Sequence, residues 1–296
     1  MVHLIFCHFL LLASVKIARK RSNERRRMSL IDFLLNLAGL LLWLNWRAAQ
    51  PVVVPPTATS NSPLPQRIPP PRSRWWYMAG LVVLLLGRAV FYCRAGAPLH
   101  WVPGLRLGSL SLTFRSDFPG RMLLFSWLSF GLTLGFFYLC LLLLSCVNGP
   151  SGDTDPMQRL MRQHLGRLDR LPWPLKLLLP LMAMTAAWCA LNPLLLQMGM
   201  VPDTTASHLL AQGVMIGLAG YLSLKYLVVG FLVLYVLNSY IYLGESAFLK
   251  FVNTTSNRLL RPLRLLPLRI GRVDLAPLAG MALVIGAVVG LNCLHQ

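Results

Sequence analysis

The chain has 296 residues, 56% of them hydrophobic and 12% charged, with a mean hydropathy of +0.60. A soluble domain carries about twice that share of charge, so the composition excludes a disordered chain and argues against a soluble globular enzyme. The 28 Lys and Arg outnumber the Asp and Glu, which total nine, for a formal charge of +19. In a membrane protein that excess reads first as topology and second as attraction to anionic headgroups.

Residues 1–27 join a short apolar run, Leu4 to Val15, to a basic run from Lys16 to Arg27. The charge follows the apolar run, opposite to a signal peptide. Met28-Ser29-Leu30-Ile31-Asp32 reads as a natural start, with 1–27 as an upstream extension or a mis-called start. The first span is expected over 28–47, its apolar block running from Leu30 to Trp46. Residues 48–74 hold Pro51, Pro55, Pro56, Pro63, Pro65, Pro69, Pro70 and Pro71 and read as an extended, solvated linker. The second span, 75–93, opens on the aromatic anchor Trp75-Trp76-Tyr77. A loop at 94–121 precedes the third apolar block, Met122 to Cys146, and the fourth runs from Lys176 to Met198. After a short loop at 199–208, a long fifth block from Leu209 to Leu243 contains Lys225, and the sixth runs from Leu275 to Leu294.

Counting Lys and Arg between six spans gives 14 in the segments 47–74, 147–175 and 244–274, against four in 94–121 and none in 199–208 or the tail. The asymmetry puts the three rich segments in the cytosol and both ends outside.

A shift of 97 residues lays the third block on the end of the fifth and the fourth on the sixth. Tyr138 then meets Tyr235, Arg167-Leu168 meets Arg264-Leu265, Pro180 meets Pro277 and Met184 meets Met281. Each unit, 122–198 and 209–296, is a span, a basic segment and a returning span, which is the pattern of duplicated helical hairpins. In 157–171 the apolar residues Met157, Leu160, Met161, Leu165, Leu168 and Leu171 have helical spacing, and Arg159, Arg162, Arg167 and Arg170 hold the other side. In the second unit Phe248, Phe251, Val252, Leu259, Leu263 and Leu266 recur, with Arg258, Arg261, Arg264, Arg269 and Arg272. Basic amphipathic helices tethered to spans are expected to lie in the interface, apolar face in the acyl boundary and Arg on headgroup phosphates. Aromatic residues do not interleave these Arg, so nucleic acid is not the expected partner.

Chemistry is sparse. Ser126, Ser129 and Ser145 lack a G-x-S-x-G setting, no H-E-x-x-H occurs, and no Walker or dinucleotide glycine motif is present. The six Cys include no C-x-x-C pair and read as small apolar residues. No catalytic residue, metal or cofactor is expected. Lys225 reads as the one ionisable residue well inside an apolar block, either snorkelling to the interface or marking an ion or partner site. Asp274, just ahead of Pro277, reads as the acidic start of the last span.

The run Arg258-Leu259-Leu260-Arg261-Pro262-Leu263-Arg264-Leu265-Leu266-Pro267, then Gly271, then Asp274-Leu275-Ala276-Pro277-Leu278, resembles the signature of the YggT/YlmG membrane family. The resemblance is strongest over 220–294 and weaker over 122–198. Asn257-Arg258 stand where the family has an acidic residue and Pro, Leu265 where it has a second Arg, Arg272 where it has a second Gly, and Ala276 where it has Ser. The resemblance implies an integral membrane protein without catalytic residues, in a family linked in bacteria to cell division, cell shape and osmotic behaviour, and in plastids to nucleoid distribution and cytochrome complex assembly.

The resulting expectation is an all-α, multi-pass protein of the bacterial inner membrane, with six spans in three hairpins and interfacial amphipathic helices. It is non-enzymatic and organises membrane complexes through its basic segments, with anionic lipids and other membrane proteins as partners. A small ion or solute transporter or channel centred on Lys225 is the alternative.

Overall fold

A computed structural model describes residues 28–49, 75–96, 101–108, 110–116, 118–149, 156–241, 244, 246–265, 269–270 and 273–294. The extension at 1–27 and nearly all of the Pro-rich segment lie outside the described residues.

Almost all of the described chain is helical. Helix α1 spans Met28–Ala48, α2 Trp75–Gly96 and α3 Pro119–Asn148. Between α2 and α3 the expected loop carries a two-stranded hairpin, β1 (Gly104–Leu107) and β2 (Leu110–Thr113). Then come α4 (Pro156–Leu165), a 3-10 turn (Gly166–Arg170), α5 (Trp173–Gln197), α6 (Ala206–Ser223) and α7 (Lys225–Ile241). The chain closes with α8 (Ala247–Leu259), a second 3-10 turn (Leu263–Leu265), the paired dipeptides β3 (Arg269–Ile270) and β4 (Val273–Asp274), and α9 (Ala276–Leu294).

Five helical stretches are long and apolar enough to cross a membrane: Met28–Ala48, Trp75–Gly96, Pro119–Asn148, Trp173–Gln197 and Ala206–Ile241. Their large apolar side chains face outward along most of their length. Val83, Met182, Leu210 and Tyr240 are all more than half exposed, as a lipid-facing surface requires. The chain is a multi-pass membrane protein. α9 adds a further apolar helix of 19 residues.

Local chemistry explains the helix ends. Trp75 and Trp76, the first residues of α2, are 70% and 76% exposed, the setting of an interfacial aromatic belt. Pro119 and Pro156 open α3 and α4, where a missing N–H costs nothing. Ser246 caps α8 by accepting the Leu249 N–H at 3.3 Å. α5 ends in a Schellman turn: Gly199 has φ +64°, its N–H bonds Leu196 O at 2.8 Å, and Met200 N–H bonds Leu195 O at 3.0 Å. α5 also carries Pro180 and Pro193 in its interior, which membrane helices tolerate.

The chain forms two compact units, Met1–Leu105 with Thr113–Leu134, and Arg106–Leu112 with Gly135–Gln296. The first unit is built from α1, α2 and the first half of α3. Its apolar core is Leu81, Leu85 and Phe130, flanked by Leu42, Trp43, Met78, Leu84 and Leu134. Tyr92, Trp101, Phe114 and Phe125 form a second, aromatic cluster with ring centroids 5.1–5.9 Å apart.

In the second unit α5 and α6 pair as an antiparallel hairpin. Gly213 lies against Thr185, Gly217 against Leu181, and the Tyr221 hydroxyl donates to Leu177 O. α7 packs on α9 and on α8, and α8 packs on α4. The long fifth span is one apolar stretch, Ala206–Ile241, with a single turn residue of helical backbone, Leu224, between α6 and α7. Leu224 interrupts it, its N–H turning back to Tyr221 O at 3.0 Å while its carbonyl accepts from Val228.

Candidate functional site: basic helices and buried ion pairs

In the second unit, α4 and α8 each present one apolar face to the protein. Met161 and Leu165 of α4 are buried against Leu141 and Leu142, with Phe137 and Tyr138 beside them. Phe251 and Val252 of α8 are buried with Phe231 of α7, next to Leu144 and Met157. These faces were expected in the acyl boundary; they are covered instead by α3 and α7. Leu160, expected in the stripe, is 52% exposed, because it sits a full helical step of about 100° away from Met161.

Polar contacts fix α8 across the end of α3. The Asn148 amide donates to Thr255 Oγ1 at 3.0 Å, and the Thr255 hydroxyl is 3.2 Å from Asn148 Oδ1. Arg258 donates to Asn148 O, a carbonyl left open at the C-terminus of α3. Ser256 Oγ donates to Phe231 O at 3.2 Å. Arg264 reaches Tyr235 Oη at 3.1 Å and Asn257 Oδ1 at 2.6 Å.

The predicted arginines thus divide. Arg159, Arg170, Arg261 and Arg264 are exposed, as is Lys250, while Arg162 and Arg258 are half-buried and bonded. Pro262 is exposed just after α8 and Pro277 is buried in the first turn of α9. Asp274 lies in β4, paired by backbone register with Arg269 in β3. The side chains of Arg167, Arg269 and Asp274, and residues Pro267, Gly271 and Arg272, lie outside the described residues.

One buried charge adjoins this basic layer. Lys176 Nζ, near the start of α5, is 2.8 Å from Ser145 Oγ and 3.4 Å from Asp169 Oδ1. Ser145 donates to the same Asp169 oxygen at 2.5 Å, and Arg162 Nε sits 3.6 Å from Asp169 Oδ2. A carboxylate on the 3-10 turn thus joins α3, α4 and α5.

Lys225, expected inside a span, is the first residue of α7, immediately after the interruption at Leu224. It is half-buried, with its ammonium 5.0 Å from the centre of the Tyr226 ring. Nor is it alone among ionisable residues in the apolar blocks, which corrects the sequence reading: Arg88 lies well inside α2 and is 2% exposed.

Arg88 centres a polar cluster in the first unit. Its Nη2 is 2.6 Å from Asp32 Oδ1, its Nη1 2.6 Å from Asn36 Oδ1, and its Nε 3.0 Å from Tyr92 Oη. Tyr92 donates to Asp32 Oδ1 at 2.8 Å. Ser129, from α3, accepts from the Asn36 amide at 2.9 Å and donates to Asp32 Oδ2 at 3.3 Å. The guanidinium also lies 5.4 Å and 5.9 Å from the Tyr92 and Phe125 ring centres. A buried charge needs such a set of partners.

Among the described residues no group of three or more His, Cys, Asp or Glu is arranged to hold a metal ion. Comparison of the chain with protein-family models, with curated proteins and with solved structures gives no match.

Proposed function

We propose that this is a non-enzymatic scaffold of the YggT/YlmG type in a bacterial inner membrane, which organises membrane complexes through a basic cytosolic layer made by α4 and α8. The observation that carries the reading is the packing of these two helices. Their apolar faces are spent on α3 and α7, and they pack on each other, so Arg159, Arg170, Lys250, Arg261 and Arg264 are left exposed. Such a layer attracts anionic headgroups and acidic partner segments.

The apolar length of α9 supports a sixth span, and with it three hairpins and both ends outside. One element boundary supports the repeat: the two 3-10 turns begin at Gly166 and Leu263, 97 residues apart. That correspondence also favours the family reading, since the repeat and the Arg258–Pro277 motif coincide in the second unit.

The test is lipid retention. Each exposed Arg near an anionic surface contributes about 1 kcal/mol. Replacing Arg159, Arg170 and Arg261 together by Gln should weaken retention of cardiolipin or phosphatidylglycerol roughly a hundredfold, read by native mass spectrometry of detergent-extracted protein. Undiminished retention in a correctly inserted triple variant overturns the lipid-facing role. Solute or ion flux in proteoliposomes that vanishes in Lys225→Ala would establish the transporter reading in its place.

A further inference from the structure

We propose that Asp32 and Arg88 form a latch that holds α1 against α2 and α3, so that the first helix stays with the bundle through a charge pair added to its packing around Gly39.

The inference rests on what α1 buries. Its apolar window is 17% covered, within the 11–28% of the other four spanning stretches. Leu30, Phe33, Leu34, Leu37 and Leu41 are all at least 42% exposed. The buried residues are Met28, Asn36 and Gly39, and the partly buried Asp32 lies on the same helical face, spaced three or four apart. Gly39 lets Phe130 and Leu81 approach, since a Cβ there would lie 2.9 Å from the Phe130 ring. In a bilayer, apolar side chains lose little by leaving a neighbouring helix for lipid, so association depends on close packing and polar contacts. On α1 the close-packed position is Gly39, helped by the partly buried Leu42 and Trp43. The polar contacts are Asp32 and Asn36.

Both act on Arg88, whose side chain is fully buried against a 22% exposed Asp32 side chain. An unpaired Arg at this depth in α2 is costly to insert. With Asp32 and Asn36 opposite, two of its donors end on oxygens of α1. The dependence is mutual: α2 keeps Arg88 in the membrane because α1 supplies its counter-charge, and α1 keeps its place because Arg88 holds it. Ser129 extends the latch to α3 by bonding both Asp32 and Asn36.

The experiment uses the full chain in membranes, with its six native cysteines replaced by Ala and a reporter pair Leu42→Cys/Gly80→Cys, since the Leu42 methyls lie 3.8–3.9 Å from a Cβ at Gly80. Disulfide cross-linking reads α1–α2 contact, and alkaline extraction reads retention in the membrane. The parent chain should cross-link efficiently. Asp32→Asn should reduce the yield about tenfold or more, because one partner of a buried pair is left charged. Asp32→Glu should restore at least half of it. Arg88→Gln/Asp32→Asn, which strands no charge, should be retained as well as the parent and still cross-link severalfold less. The latch is overturned if Asp32→Asn cross-links within twofold of the parent. It is equally overturned if the double variant matches the parent, because packing alone would then hold α1.

Discussion

Asp169 offers the sharpest test of the energetics beneath the basic layer. It is the carboxylate shared by Lys176 and Arg162, and the two pairs differ in burial: the Lys176 side chain is 10% exposed and that of Arg162 28%. Breaking a buried pair by removing one partner costs about 3–5 kcal/mol, whereas an exposed pair contributes about 0–1 kcal/mol. Asp169 is itself 23% exposed and Ser145 would remain on Lys176, which moves the expected loss for Asp169→Asn down to about 2–3 kcal/mol. Arg162→Gln, which leaves the Lys176 pair intact at 3.4 Å, should cost under about 1 kcal/mol. Lys176→Met added to Asp169→Asn removes the stranded ammonium and should recover at least half of the loss. Unfolding by SDS titration from mixed micelles, followed by tryptophan fluorescence and circular dichroism, measures all three. If Arg162→Gln is as damaging as Asp169→Asn, or if Lys176→Met deepens the loss, the charge on Lys176 is not what Asp169 compensates.

Three further substitutions probe packing. A Cβ on Gly217 would lie 2.6 Å from Leu181 Cδ1 and 3.4 Å from Leu181 Cα. Gly217→Ala should therefore destabilise by about 1–3 kcal/mol in the same titration, while Gly230→Ala, where nothing lies within 4 Å, should stay within about 0.5 kcal/mol of the parent. Thr255 is fully buried with its hydroxyl on Asn148. Thr255→Val should cost about 1–3 kcal/mol and speed hydrogen exchange in α8, because Asn148 keeps its bond to Leu144 O but loses both contacts with the Thr255 hydroxyl at little change in volume; unchanged exchange in α8 would mean the pair does not dock that helix.

The spans were legible because lipid imposes length. A block such as Met122 to Cys146 has no alternative to a membrane helix, and α3 covers all of it. The basic helices were legible from the spacing of Met161 and Leu165 and of Phe251 and Val252, although spacing says only that a face is apolar, not whether protein or lipid covers it. Arg88 went unread because one charge hardly changes the hydropathy of a 22-residue stretch. Its partners on α1, Asp32 and Asn36, lie 56 and 52 residues away. The local trace was there, since Asp32 and Asn36, and Arg88 and Tyr92, are both spaced by four and so share a helix face. The hairpin had its own signal in Gly104-Leu105-Arg106-Leu107-Gly108-Ser109-Leu110-Ser111-Leu112-Thr113, two alternating runs about a Gly-Ser pair. The division at Leu224 had none: no Gly or Pro stands there, and apolar residues continue on both sides.

That division resolves a problem of length. The stretch Ala206–Ile241 has 36 residues, or about 54 Å of helix at 1.5 Å per residue, against a hydrocarbon core of about 30 Å. A single straight crossing would need a tilt of about 55°, outside the range of about 0–40° found for membrane helices. α5 packs along α6 as far as Tyr221 and Leu177, whereas α7 packs on α8 and α9, so the two halves of the stretch have different neighbours on either side of the joint. Lys225 stands at that joint, where its ammonium can reach the headgroups by snorkelling. Single cysteines at Val214, Tyr226 and Val233, in a cysteine-free chain, separate the alternatives by labelling with a membrane-impermeant maleimide in inverted vesicles. Tyr226→Cys, at a position 69% exposed, should label readily, while Val214→Cys and Val233→Cys, at positions 39% and 40% exposed, should be protected by lipid. Equal protection at all three would mean that the joint lies deep in the bilayer, and Lys225 would then be an intramembrane charge in need of a partner.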